Sequence, residues 1–201
     1  MTSPFVQVFG QTELVTKLKS GAPVGSHLIS IGNPKAFWRL PRVDERLPPE
    51  FRGRFEDLLR LAFFDLPDTS DLRWDQPKRI PQTKDVEAVV RFVRRTRSTA
   101  TGFTLHCWAG VSRSTAMALG VLFLLTGSEE SAARELIAIR RTATPHPGLV
   151  RCWDEVMGSH LADVSDVLRE ERLREMRREV LAAVQRGSTQ SQGDSEVEEL
   201  P

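Results

Sequence analysis

Phe103-Thr-Leu-His106-Cys107-Trp108-Ala109-Gly110-Val111-Ser112-Arg113-Ser114, followed by the nearly unbroken apolar run from Thr115 to Leu125, decides how this chain is read. Thr101-Gly102 breaks the preceding helix, Phe103 to His106 reads as a central strand, and Ser114 to Leu125 reads as a buried helix. A tight loop between a strand and a helix N-terminus turns backbone N–H groups inward and favours an anion. Gly110 allows the turn that a side chain would obstruct. Arg113, in the first helical turn, offers a planar guanidinium that holds two oxygens of a phosphate at once. In that field the Cys107 thiol is expected to ionise readily. A thiolate beneath a bound phosphate is a nucleophile in line with phosphorus, so the chemistry implied is displacement through a phosphocysteine, then hydrolysis. Ser114 is placed to hydrogen-bond the sulfur and ease its departure. His106 is expected to orient the loop rather than to act as acid or base. The candidate phosphate-binding residues are therefore Trp108, Ala109, Gly110, Val111, Ser112 and Arg113.

Working outward, Phe5 to Phe9, His27 to Ile31 and Leu58 to Phe64 read as further short strands. Gln11 to Ser20 reads as a helix, and a second follows Thr83, its expected N-cap, with Val86, Val89, Val90 and Val93 at helical spacing. Ser128 is expected to cap a helix through Arg140, and another helix runs from about Leu149 to His160. Lys35 to Glu50, broken by Pro41, Pro48 and Pro49, reads as an irregular insertion. Strands separated by helices predict an α/β fold with a mostly parallel central sheet flanked by helices. The loops after Phe64 and His106 then open on the same sheet edge, where such folds bind ligands. Ser165 to Arg186 alternates acids and arginines around Leu168, Leu173, Met176, Val180 and Leu181, which predicts a C-terminal amphipathic helix. The expected organisation is a catalytic domain over 1–162, the charged helix over 163–187 and a disordered acidic tail over 188–201.

Composition narrows the function classes. The chain has 201 residues, 40% hydrophobic and 27% charged, enough to build one real core. Lys plus Arg (28) nearly balances Asp plus Glu (27), so nothing calls for nucleic acid or an anionic membrane as partner. Met1-Thr-Ser-Pro-Phe5 lacks the basic start and apolar stretch of a secretion signal. The longest apolar run, Thr115 to Thr126, is shorter than the ~20 residues that span a bilayer. Two cysteines, Cys107 and Cys152, make no disulfide framework, and a reducing cytoplasm is the expected setting. Cys152 reads as a packing residue. No His, Cys, Asp cluster has metal-ligand spacing, so neither metal nor other cofactor is expected.

His-Cys-x5-Arg-Ser, here His106-Cys-Trp-Ala-Gly-Val-Ser-Arg-Ser114, resembles the signature of the cysteine-dependent protein tyrosine phosphatases, in the dual-specificity branch. His27-Leu-Ile-Ser-Ile-Gly-Asn-Pro34, the Asp after Leu61-Ala-Phe-Phe64, and Arg140-Arg-Thr-Ala-Thr-Pro-His-Pro147 are similar to small bacterial members. The resemblance covers roughly residues 5–160. It implies a protein tyrosine phosphatase-like sandwich and a metal-independent phosphatase acting on phosphorylated protein. It also implies a general acid, an Asp on a loop after a strand. Asp65 matches by position and is favoured, with Asp68 second; Asp71 and Asp75 share that loop, and the family's usual spacing to the cysteine, taken alone, fits them rather than Asp65. Tyrosine-specific members grip the substrate ring with a Tyr, and this chain has none. That implies a shallower pocket tolerant of phosphoserine and phosphothreonine, unless Trp38 or Trp74 takes the ring. Lipid-directed relatives often carry lysines in the loop, whereas Trp108, Ala109, Val111 and Ser112 are uncharged. Pro145-His146 stands where the family often has Pro-Asn, whose Asn braces the cysteine loop. A catalytically weak phospho-recognition module is the alternative. Sulfur transfer and arsenate reduction, which use similar spacing, fit less well with Gly110 and Ser114.

Overall fold

Each strand sends alternate side chains to opposite faces, and both faces are apolar, so the sheet has to be covered on both sides. The computed structural model describes residues 3–34, 47–66 and 79–190. Trp38, Asp68, Asp71, Trp74, Asp75 and the tail from 191 to 201 lie outside the described residues. Among the described residues, β1 (Phe5–Gly10), β2 (His27–Gly32), β3 (Asp57–Ala62) and β4 (Gly102–Cys107) form one sheet. Its order is β1-β4-β2-β3, and every neighbouring pair is parallel. The helices are α1 (Gln11–Lys19), α2 (Thr83–Thr96), α3 (Arg113–Thr126), α4 (Glu129–Ile139), α5 (Pro147–Met157) and α6 (Leu161–Gln190).

Val6, Val8, Ile29, Ile31, Phe103, Leu105 and Cys107 point into the larger core, which α2 to α6 cover. Phe9 and Leu28 point the other way, onto Leu14 and Leu18 of α1 and onto Leu47 and Phe55, which flank a short 3-10 helix, Pro49–Arg54. The expected parallel α/β sandwich with a C-terminal amphipathic helix is the fold observed. β4 is interior and buried along its whole length, and α3 is buried from Arg113 to Leu122. Because all four strands run the same way, Gly10, Gly32, Ala62 and Cys107 end on one edge of the sheet. No helix among the described residues is long and apolar enough to cross a membrane.

Several boundaries differ from the sequence reading, and distant partners account for most of them. Thr83 is the first helical residue of α2 and not its cap. The Asp85 carboxylate accepts from the backbone N–H of Gln82 and pairs with Arg79, which fixes the turn one residue earlier. β3 stops at Ala62, two residues short of Phe64. The Phe64 N–H leaves the ladder to donate to the Arg79 carbonyl (2.9 Å), and the Arg79 guanidinium returns to the Ala62 carbonyl. α5 starts at Pro147 and ends at Gly158 in the left-handed conformation, which leaves His160 outside it. α6 begins at Leu161 because Asp154 of α5 accepts from the N–H groups of Leu161 (2.7 Å) and Ala162 (3.0 Å). It runs on to Gln190, so residues 188–190, expected in the tail, are helical.

Two packing features generate predictions. A Cβ on Gly120 would lie 2.0 Å from the ring of the fully buried Trp153. Alanine at that position gains about 1 kcal/mol of helix propensity but overpacks the core, at a cost of about 1–3 kcal/mol. Gly120→Ala is therefore expected to lower the urea midpoint, and an unchanged midpoint would show that the indole yields freely.

His106 of β4 is wholly buried, with Nε2 2.8 Å from Ser30 Oγ on β2. Burial, chiefly, with the cations of Arg60 and Arg113 adding to it, pushes its pKa down from 6.5 to about 4. Between those values the unfolded chain binds a proton that the folded chain does not. Stability is thus full above pH 6.5 and falls as the pH drops toward 4, by about 3 kcal/mol for this one group. Urea unfolding at pH 7, 5.5 and 4.5 should show that slope, and His106→Gln should flatten it.

Candidate active site

Between the end of β4 at Cys107 and the start of α3 at Arg113 the chain reverses within five residues. Every carbonyl in that loop is turned outward and taken. Trp108 O accepts from Gln11 N (3.0 Å), Ala109 O from Arg140 Nη2 (3.3 Å) and Gly110 O from Arg140 Nε (3.0 Å). Val111 O accepts from Thr144 N (3.0 Å), and Ser112 O from His146 N (3.3 Å) and Ala116 N (3.0 Å). A trans peptide carries its N–H opposite its carbonyl, and the described residues contain no cis bond. The N–H groups of residues 109 to 113 therefore face the interior of the loop, where the N-terminus of α3 adds its own positive end. Gly110 is required twice over: its φ is +71°, and a Cβ would stand 2.3 Å from Gly10 N.

At the base of this cradle lies the Cys107 sulfur, 1% exposed. It is 3.1 Å from Ser114 Oγ and accepts from the Gly110 N–H at 3.3 Å. Arg113 is 3% exposed. Its Nη1 donates to Asn33 Oδ1 (3.0 Å) and to the Phe63 carbonyl (3.1 Å), which lie beyond the ends of β2 and β3. Asp65, on the segment after β3, leans onto the rim. Its Oδ1 accepts from Ser112 Oγ at 2.7 Å and its Oδ2 lies 3.6 Å from Arg113 Nε. Trp108 and Ala109 are exposed at the mouth, while Val111 and Ser112 are half-buried.

The structure thus brings Cys107, Ser112, Arg113, Ser114 and Asp65 into one cluster, with Trp108, Ala109, Gly110 and Val111 forming its wall. The His146 side chain does not brace the cysteine loop. That brace comes from its backbone N–H and from Thr144 N, while its Nδ1 accepts from Leu149 N at 3.2 Å and caps α5. Burial lowers the pKa of His146, and the Arg113 cation adds to the effect, against an opposing pull from Asp65.

Asn33 and Arg140 are site residues that the motif reading passes over. Asn33 carried a usable signal, a polar side chain just past a parallel strand on the binding edge. Arg140 carried none, since its partners are the loop 30 residues back and Glu13, which it meets at 2.8 Å across 127 residues. Glu13 in turn accepts from Gly10 N at 3.2 Å, so one carboxylate ties the loop brace to the end of β1. No group of three or more His, Cys, Asp or Glu gathers as a metal site among the described residues. Chemically, the arrangement can accept a tetrahedral oxyanion above a sulfur, with a carboxyl at the open side.

The sequence matches no protein-family model and no curated protein. Solved structures do match. Human DUSP28 superposes with a TM-score of 0.51 at 16% identity, over 84% of this chain and 96% of that one. The human tyrosine phosphatase-like serine/threonine/tyrosine-interacting protein superposes with a TM-score of 0.50 at 19% identity, over 74% and 85%. At such identities the likeness is one of fold, and it spans nearly the whole of both neighbours. The chain has the fold of the cysteine-dependent protein tyrosine phosphatases, in its dual-specificity form.

Proposed function

We propose that this protein is a phosphomonoester hydrolase that removes phosphate from phosphotyrosine, and also from phosphoserine and phosphothreonine, in proteins. One observation carries the reading: a buried sulfur under inward-facing amides, with Arg113 beside it and a carboxyl on the rim. A substrate phosphate seats its non-bridging oxygens on the loop N–H groups and Arg113, with phosphorus above Cys107 Sγ. The thiolate attacks in line, the phosphorus–oxygen ester bond breaks, and Asp65 gives its proton to the leaving oxygen. The preorganised amides stabilise charge on the transferring phosphoryl group, at no cost of reorganisation. In the second step Asp65, now a carboxylate, takes a proton from the water that attacks the phosphocysteine. The Ser114 hydroxyl then hydrogen-bonds the departing thiolate.

No metal or other cofactor takes part in this scheme. A free catalytic thiol works in a reducing compartment, which fits the cytoplasm. The uncharged side chains of Trp108, Ala109, Val111 and Ser112 support phosphoprotein over polyphosphorylated lipid. The phospho-recognition alternative draws support from the neighbour named as an interacting protein. Against it stand Cys107, Arg113 and Ser114 together, since a pure binder has no use for a thiolate at the base of the cradle.

Hydrolysis of nitrophenyl and phenyl phosphates, with chelator and reductant present, tests the proposal. Cys107→Ser should abolish turnover. Asp65→Asn should cost about 10²–10⁴-fold on phenyl phosphate, whose leaving group needs the proton, and far less on nitrophenyl phosphate. An inert wild type that still binds a phosphopeptide would make the protein a recognition module instead.

A further inference from the structure

The His146 imidazole carries a loose end that α5 capping leaves unexplained. The residue is 2% exposed, and its Nδ1 is occupied as acceptor from Leu149 N–H. A neutral imidazole with that lone pair engaged carries its proton on Nε2. Burial favours the neutral form. Among the described residues Nε2 makes no hydrogen bond of good geometry; it lies 3.8 Å from Asp65 Oδ1, with the Leu66 backbone near enough to favour its protonated form. A buried N–H without a partner is costly and calls for an explanation. The groups around it are the α5 N-terminus, Arg113 and Ser112 of the catalytic loop, and Asp65 with Leu66. Among the described residues, two acceptors lie toward Nε2: the Asp65 carboxylate and the Leu66 backbone. Asp65 is 40% exposed on its side chain, so a carboxylate shift of about 1 Å brings it into hydrogen-bond range.

We propose that His146 is a positioning residue for the general acid: its buried Nε2–H, fixed in direction by the Nδ1 bond to α5, holds the Asp65 carboxyl over the cradle during proton transfer. This rests on the phosphatase reading above and adds a second donor toward Asp65 Oδ1, beside the Ser112 hydroxyl. The donor is neutral, so it orients the carboxylate without adding a cation that competes with Arg113 for the phosphate. Misplacing a catalytic group by an ångström is enough to slow its step severely.

Capping and positioning are separable by substitution. Asparagine is a good N-cap but too short to reach Asp65, whereas glutamine reaches as far as the imidazole Nε2 and caps poorly. His146→Asn should keep its Tm within about 3 °C of wild type. Its kcat/KM should fall about tenfold on phenyl phosphate and no more than about twofold on nitrophenyl phosphate, because kcat/KM reads only the steps through leaving-group departure. His146→Gln should lose Tm yet keep the wild-type ratio between the two substrates. In an Asp65→Asn background, His146→Asn should cost nothing further on phenyl phosphate. Equal losses on both substrates, no loss on either, or a Gln variant as skewed as the Asn variant would overturn the inference. Should the Asn variant fail to fold, His146→Ser, also a good N-cap without the reach, takes its place: a loss confined to phenyl phosphate supports the role, and an equal loss on both substrates or no loss overturns it. Wild type inactive on both esters would instead bring down the phosphatase reading itself.

Discussion

Five consecutive carbonyls, from Trp108 to Ser112, are each held from outside the loop, and the site exists because of that constraint. Nothing inside the cradle needs to attract the amides inward; they face inward because their carbonyls are engaged elsewhere. A net hydrogen bond is worth only about 1 kcal/mol, but a buried carbonyl stripped of its partner costs about 1–3 kcal/mol. Turning one peptide over would strip one carbonyl and bury one N–H in the wrong place. The loop is therefore stiff without a single large interaction to hold it.

The buried guanidinium of Arg113 is the second term. A charge taken out of water is expensive unless it is hydrogen-bonded and paired. Asn33, the Phe63 carbonyl and Asp65 together meet that cost from two chain segments, those leaving β2 and β3. They also fix the plane of the guanidinium, so an incoming oxyanion meets an oriented donor rather than a flexible one. Asp65, like Asn33, is exposed, which suits the proton exchange proposed for it.

What the sequence made legible follows from where the partners sit. Phe103 to Ser114 could be read because strand, nucleophile, glycine, arginine and helix start are contiguous, and local rules act over that span. The parallel sheet could be read because both-face burial leaves continuous apolar runs such as His27 to Ile31. Arg140 was not legible as a site residue, because it acts on the loop from 30 residues away, whereas Asn33 had a signal in its place just past β2 that the motif reading passed over. The start of α6 was misread for the same reason, its cap being Asp154 on another helix. Thr83 looked like a cap by residue type, yet Asp85 two residues on holds the turn through its own carboxylate and Arg79. His146 stands where the resembled family often has Asn, but which of its two nitrogens faces the site depends on the N–H of Leu149.

The Glu13–Arg140 pair closes a loop of 127 residues onto the cradle, and Asn33 after β2 and Phe63 and Asp65 after β3 reach it from two further points in the chain. A partly folded chain consequently has no anion site at all, even with the Cys107 to Ser114 segment present. Any phosphate-like anion that binds does so to the fully assembled state alone. By mass action such a ligand, at a hundred times its dissociation constant, adds about 2.7 kcal/mol to the stability of the whole fold. Occupancy of a six-residue loop and persistence of the native chain are in that sense one thermodynamic quantity.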